Sequence, residues 1–351
     1  MTRIGFVGGG NIARTHAEAL APLDAELVAV ADIDPAARDH FEREWDVRTY
    51  DDHARMLENE SLDAALIGVP NDQHAECAVD VLDRGVHALV EKPLAHTLED
   101  ARRIADAAAE SAATAMVGLT MVFKPTVQST RSRIVDGEFG DVHDVDLRYV
   151  RRRGIPQLGS WFTDRSRSGG GALIDCGVHL LAVALYALGW PEIDEVSAST
   201  RAAFGTKAEY TYLDMWGGDP LPEPTFTVED SARALIHTAD GASIHLDCAW
   251  ASNRETETWM QLLGDQQGVT LDVHEEDATI YGDDRGELTD TELHAPETNV
   301  FRAEWRYFLD VLAGERDHEI NTIEHGLAIQ RLIDAIYRSA DDGGVEPDSA
   351  P

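Results

Sequence analysis

The chain has 351 residues, with 29 basic against 65 acidic side chains and a formal charge of −36. So acidic a surface repels phosphate backbones and anionic lipid, which argues against nucleic acid and membrane surfaces as partners. The length allows two domains, each with its own core.

The acids are spread along the whole chain, and only three basic residues are lysine: Lys92, Lys124 and Lys207. Dispersed carboxylates with little lysine favour a protein adapted to molar salt over one that docks a basic partner through an acidic block. Cys77, Cys176 and Cys248 show no CxxC spacing and cannot build a disulfide framework, which fits a reducing cytoplasm. No apolar run is expected to reach the ~18 residues of a membrane span. The N-terminus enters a strand pattern at once, without signal-peptide architecture.

Taken in order, RIGFV is a short β run and IARTHAEALA, after the glycines, is helical. ELVAVA is a strand, and DPAARDHFEREW a helix with Pro35 in its first turn. LDAALIGV, HALVEK and TAMVGL are further strands, separated by the helices NDQHAECAVDVLDRG and LEDARRIADAAAES. Short apolar strands alternating with amphipathic helices predict a parallel sheet covered on both faces and doubly wound, the Rossmann topology. After Met121 the pattern changes. KPTVQSTRSRIVDGE predicts a helix, VHDVDLRYVRRR a long strand, and GGGALIDCGVHLLAVALYALG a buried helix opened by glycines. ARALIHT and ASIHLDCAW flank an Asp240-Gly241 turn, and WMQLLG and GVTLDV form a second hairpin. Two helices, FRAEWRYFLDVLAG and EHGLAIQRLIDAIYRSA, follow. The expected class is α/β: a Rossmann domain over residues 1–121, then an α+β domain over 122–340 on a mostly antiparallel open sheet. Residues 341–351 read as a frayed acidic tail.

FVGGGNIARTH carries Gly8-x-Gly10-x-x-Ala13 between a strand and a helix. Gly8 permits the tight turn, Gly10 lets the backbone approach a pyrophosphate, and Ala13 lets the helix pack closely. The helix start at Asn11 and Ile12 aims free N–H groups at the phosphates. Asp32 closes the next strand, where a carboxylate can accept both ribose hydroxyls of an adenosine. Together these predict dinucleotide binding. The Asp32 charge repels a 2′-phosphate and IDPAA offers no arginine to bind one, so NAD is expected over NADP. Arg38 is the more distant cation that would reverse this preference.

Lys92 follows an apolar run and precedes Pro93, in a chain that elsewhere prefers arginine. A lysine at a strand end ordinarily snorkels to solvent; as a compact cation it can instead stabilise charge on a reacting oxygen. Asp175 and His179, at i,i+4 spacing on one helix face, are either a surface contact or a catalytic pair. Oxidising an alcohol needs a base for the hydroxyl proton, and imidazole, with an ordinary pKa of about 6.5, suits neutral pH. The glycines Gly169 to Gly171 just before them point to close approach by another group. No third ligand accompanies Asp175 and His179, so no metal is expected. Asn71 and Asp72 stand where helix caps would. The stretch from Arg151 to Ser168 gathers five arginines. Trp161 there can stack on a sugar face, and Arg153 can bind hydroxyls, a carboxylate or a phosphate. Equally, these arginines can pair with surface acids or a neighbouring subunit.

Four ordered segments, GFVGGGNIARTH, GVPNDQHAE, VEKPLA and GGGALIDCGVH, resemble the glucose–fructose oxidoreductase and inositol dehydrogenase family, also called Gfo/Idh/MocA, over nearly the full length. The resemblance implies an NAD(P)-dependent dehydrogenase moving a hydride between a sugar, polyol or related hydroxy compound and the nicotinamide. It implies that Glu91 and Lys92 lie at the cofactor, Lys92 also beside a substrate hydroxyl and before a proline that is often cis. It places Pro70, Asn71 and His74 near the nicotinamide, and makes Asp175 and His179 partners of Lys92 in catalysis. A homodimer or homotetramer formed on the open sheet is implied as well. GLTMVFKP departs from the family pattern, with Thr120, Met121 and Val122 where an Asn and basic residues are frequent, so the substrate contact usual there is in doubt. Some family members cleave glycosides through transient oxidation, and others only sense the dinucleotide; both stand as alternatives.

Overall fold

The structure is a computed structural model that describes residues 1–211, 218–272 and 277–342. Its first part runs β1 (Thr2–Val7), α1 (Asn11–Leu20), β2 (Ala25–Ala31), α2 (Pro35–Trp45), β3 (Arg48–Tyr50), α3 (His53–Asn59), β4 (Ala64–Ile67), α4 (His74–Leu82), β5 (His87–Glu91), α5 (Leu98–Glu110) and β6 (Ala115–Gly118). The six strands form one parallel sheet in the order β3-β2-β1-β4-β5-β6. Apolar strands such as AALI and AMVG are buried along their whole length, as a sheet covered on both faces requires. The order reverses between β1 and β4, so the loops after these two strands lie side by side. A Cβ on Gly8 (φ +100°) would strike the Gly68 carbonyl. β3 and α3 were not foreseen, since a strand of three residues is too short to show a period.

The chain continues through α6 (Pro125–Val135), β7 (Val142–Val150), α7 (Arg165–Ser168), α8 (Val178–Leu188), β8 (Ile193–Arg201), β9 (Ser231–Thr238), β10 (Ser243–Ala249), β11 (Glu257–Gly264), β12 (Gly268–Asp272), β13 (Asp277–Asp284), β14 (Glu287–His294), α9 (Val300–Leu312) and α10 (Ile323–Asp342). Eight strands make the second sheet, β14-β13-β12-β11-β7-β10-β9-β8, antiparallel except where β7 meets β10. Both expected hairpins are present, β9–β10 and β11–β12. Strand residues alternate: Ala232, Ala234 and Ile236 of β9 are buried while Arg233 is exposed, leaving one face of the sheet open.

The chain forms two compact units, and their composition differs from the expected domains. Residues 1–120 and 299–330 make one; 121–298 and 331–351 make the other. The return of 299–330 to the first unit corrects the assignment of everything after 121 to a second domain. It has a hydrogen-bonding cause. β6 is an edge strand, and the 321–322 segment caps it: Val117 N–H donates to the Asn321 carbonyl, Met116 bridges Thr322, and Asn321 Nδ2 donates to the Leu119 carbonyl. The expected acidic tail lies, beyond Asp342, outside the described residues.

One further expectation needs correcting. The helical stretch Arg165–Leu188 is, by length and composition, apolar enough to cross a bilayer, but 83% of its apolar window is buried in the fold. The close approach expected at the glycine run is made by the fold itself. Gly169 ends α7 with φ +82°, a Cβ on Gly170 would run into the Tyr337 hydroxyl, and one on Gly171 into the Glu229 carbonyl. Glu229 Oε1 also accepts from Gly171 N (2.9 Å), Leu173 N (3.0 Å) and Tyr337 Oη (3.0 Å), tying down the start of the helix that carries Asp175. Gly171→Ala, which meets backbone, should cost about 1–3 kcal/mol of stability by overpacking. Gly170→Ala, which meets the tip of a side chain, should cost less; urea unfolding of both variants checks the order.

Candidate functional site

The glycine loop leaves β1 and opens α1. Gly10 is the N-cap and no side chain caps α1, so its first N–H groups are left for a ligand. A Cβ on Gly10 would meet nothing within 4 Å, which is the room a pyrophosphate needs. Asp32 is bound to this loop: its Oδ2 accepts from Gly9 N (2.6 Å) and its Oδ1 from Asp34 N (2.7 Å). These bonds aim a fixed negative charge at the mouth of the loop. Arg38 Nη1 donates to the Asp32 carbonyl (2.6 Å), which places the one cation considered for a 2′-phosphate close by. Ile33, unmarked in the sequence reading, is 89% exposed immediately after Asp32, a position from which it can pack against a planar base. The loop therefore fits a dinucleotide.

The second loop, after β4, holds Pro70 and a 3₁₀ turn over Asn71–Gln73. Asn71 is buried there. Asp72, foreseen as a cap, accepts from the Gln73 side chain at 2.9 Å. His74 is 1% exposed, with Nδ1 on the Pro93 carbonyl and Nε2 on the Val69 carbonyl, each 2.9 Å. Burial lowers its pKa more than these carbonyls raise it, and in its neutral form the ring donates to one of the two carbonyls only. Instead of presenting its ring at the surface, His74 pins this loop to the turn after β5.

That turn contains the Lys92–Pro93 peptide, which is cis, with the Lys92 side chain partly exposed. Glu91, expected at the cofactor, turns its carboxylate inward. Oε1 meets His16 Nε2 at 2.7 Å and Oε2 accepts from Lys92 N at 3.0 Å. Burial pushes the Glu91 carboxyl up, but the His16 hydrogen bond and the Lys92 charge outweigh it and hold it below the ordinary carboxylate range. Glu304 on α9 is fully buried too. Burial, and then the Glu91 charge, push it well above the ordinary range, so it is held neutral.

In the second unit, Leu173–Gly177 forms a π-helical turn that runs into α8. Such turns recur at functional positions. Asp175 lies in it and His179 in the first turn of α8, both partly exposed among buried neighbours. Asp175 Oδ2 accepts from Trp250 Nε1 at 2.8 Å and lies 3.9 Å from Arg151 Nη1. Arg151 donates from Nη2 to Tyr149 Oη (2.9 Å) and packs over that ring. Trp250 and Arg151 both brace Asp175; Trp250 does not stand out in the sequence, and Arg151 does so only as one of five arginines. Only the register that brings the ends of β7 and β10 together would have revealed them. Arg153, expected to bind substrate, is occupied otherwise: Nη1 donates to the carbonyls of Arg152 and Ser252, Nη2 to Asn253 Oδ1, and the guanidinium covers the Phe204 ring. Trp161 stacks on Phe162, ring centroids 3.8 Å apart. Among the described residues no cluster of three or more His, Cys, Asp or Glu could hold a metal ion.

Comparison with known proteins gives the family of the chain. Residues 2–119 match the family described as oxidoreductase family, NAD-binding Rossmann fold, and residues 127–270 match the GFO/IDH/MocA C-terminal domain. The chain is 31% identical over 347 residues to D-glucoside 3-dehydrogenase of Escherichia coli K12, covering 97% of this chain and 96% of that protein. Inositol 2-dehydrogenase of Rhizobium meliloti strain 1021 is 27% identical, with 96% of each covered. Levoglucosan dehydrogenase in complex with NADH and levoglucosan superposes with a TM-score of 0.86 at 20% identity, over 99% of this chain and 100% of that one, a likeness of fold. The chain belongs to the Gfo/Idh/MocA family of NAD-binding oxidoreductases.

Trp250→Phe deletes the donor to Asp175 together with the pyrrole part of a fully buried indole. It should cost at least about 1.5–3 kcal/mol, the range for a hydrogen bond to a charged group, with a cavity cost added, and lower kcat; unfolding and kinetics together check it. Glu304→Gln tests the buried acid. A folded pKa above the ordinary 4.5 means the fold keeps a proton that the unfolded chain releases, so stability falls as pH rises above that value. The Gln variant removes that slope, and its melting temperature relative to the parent should climb from pH 5 to pH 8.

Proposed function

We propose that this chain is an NAD-dependent dehydrogenase that oxidises a ring hydroxyl of a neutral sugar or polyol. The observation that carries the reading is the Asp175 carboxylate, fixed by Trp250 and Arg151 one helical turn before His179, in a chain alike over nearly its whole length to a sugar dehydrogenase. Bound NAD would supply the hydride acceptor. Among the chain's own groups, His179 receives the hydroxyl proton, Asp175 orients the reacting hydroxyl or the imidazole, and Lys92 donates to the oxygen as its negative charge grows. Gly8, Gly10, Asn11 and Ile12 hold the diphosphate and Asp32 the ribose. Pro70 and Asn71 border the nicotinamide end.

Two observations support the neutral substrate. Arg151 and Arg153, two of the five arginines that could receive a phosphate or carboxylate, are turned to Tyr149, Asp175, backbone carbonyls and Asn253. A chain of formal charge −36 also repels anions at a distance. Trp161 is retained as a sugar-facing residue. The open face of the second sheet, with Trp259 partly exposed beneath Arg148, is read as the surface on which two or four copies assemble. Three buried free thiols fit a cytoplasmic setting, and the dispersed acids fit molar salt.

The test is NADH formation on a panel of glucosides, free sugars, polyols and sugar phosphates, run from low to molar KCl. Neutral sugars should be oxidised and their phosphates rejected, with NAD preferred over NADP. Lys92→Met should lower kcat about 10²–10³-fold while leaving NAD affinity, followed by fluorescence, unchanged. Full turnover by that variant would return Lys92 to the status of a surface cation.

A further inference from the structure

The first unit buries a polar chain that dinucleotide binding alone does not require. Trp305 Nε1 lies 2.9 Å from His16 Nδ1, His16 Nε2 lies 2.7 Å from Glu91 Oε1, and Lys92 N donates to Glu91 Oε2 at 3.0 Å. His16 and Trp305 are fully buried and Glu91 is 5% exposed. An indole N–H can only donate, so His16 Nδ1 is an acceptor and the imidazole proton sits on Nε2. Nε2 then donates to Glu91. Each Glu91 oxygen has one N–H donor, from opposite sides. The edge of the Phe301 ring packs against His16, centroids 5.0 Å apart, and keeps the imidazole from turning.

Stability does not explain this arrangement. A buried carboxylate carries a desolvation cost that well-packed apolar side chains of similar volume would avoid. What the network does accomplish is mechanical. His16 belongs to α1, the helix that opens at the glycine loop, and Glu91 is the last residue before Lys92. Trp305 comes from α9, far along the chain. One oxygen of Glu91 is fixed by the helix and the other fixes the Lys92 backbone. A lysine side chain has long reach and many rotamers, so its ammonium can be placed only if its Cα is.

We propose that His16, with Trp305 behind it, is a positioning residue that acts through Glu91 to hold Lys92 in register with the dinucleotide loop. The inference rests on the role given to Lys92 above. The groups facing Glu91 are His16 from α1, Lys92 beside it, His74 from α4 and Glu304 from α9. All four belong in any account of its titration.

Three variants test it in the full-length protein, with kcat, KM for the sugar, NAD affinity and melting temperature measured for each. His16→Leu should lower kcat about ten- to a hundredfold, the range for a misplaced reacting group, with NAD affinity unchanged within about threefold of the parent. His16→Gln, which can donate to Glu91 and accept from Trp305, should recover part of the loss. Trp305→Phe removes the donor to Nδ1 along with the pyrrole part of the indole and lets that nitrogen take a proton, so the pH profile of kcat should gain an ionisation beyond the one that His179 gives the parent. A purely structural role would shift melting temperature without adding that ionisation. His16→Leu turning over within about twofold of the parent overturns the proposal, as does a loss confined to NAD affinity. If His16→Leu does not fold, the Gln rescue and the Trp305→Phe profile decide, and a parent-like profile in the latter overturns it. Lys92→Met separates the two levels. Full activity there removes the role of Lys92 itself, whereas an inactive Lys92→Met beside a fully active His16→Leu refutes the network alone.

Discussion

A carboxylate taken out of water must be given donors, and where this chain does so the donors determine local geometry. Of its many acids most lie at the surface; a few are drawn inward, and each organises the backbone around it. Asp32 is bound by Gly9 N and Asp34 N, which sets the glycine loop against the end of β2. Glu91 is bound by His16 and the Lys92 amide. Glu229 gathers Gly171 N, Leu173 N and the Tyr337 hydroxyl. Asp175 takes the Trp250 indole. The first and last are exposed enough to meet a ligand; the middle two are interior braces.

Glu229 and Glu304 show the other side of the same rule. Glu229 has three donors on one oxygen and is still pushed above the ordinary range by burial. Glu304 sits beside the Glu91 charge and is pushed further. Two neighbouring buried acids cannot both be ionised without mutual cost, so Glu91, with its donors, keeps the charge and Glu304 keeps the proton. Ionisation here is set by which acid is hydrogen-bonded, a property of packing.

The arginines make a related point. The eighteen residues that looked like a cationic patch, Arg151 to Ser168, contain arginines used mostly inside the fold. Arg151 braces Asp175 and Tyr149, Arg153 ties backbone carbonyls, and Arg165 lies over the Tyr337 ring. A planar fork with five donors suits such framework duty.

Much was legible in the residues alone. Apolar runs of strand length between amphipathic helices can be satisfied only by a covered parallel sheet, so β1, β2 and β4 to β6 and their order of appearance followed from pattern. The Gly8–Gly10–Ala13 spacing and Asp32 pointed to a dinucleotide because few other ligands need that loop. The hairpins followed from strict alternation around Asp240-Gly241. Tertiary structure decided the rest. No local pattern says that residues 299–330 go back to close the edge at β6, since hydrogen-bond demand at a sheet edge is met by whatever segment arrives. Nor could spacing show that Gly170 and Gly171 make room for Tyr337 and Glu229, that Arg153 is occupied while Arg151 attends Asp175, or that Trp305 and His16 stand behind Glu91. Those pairings join residues tens to hundreds of positions apart, and side-chain direction at each end exists only once the backbone has folded.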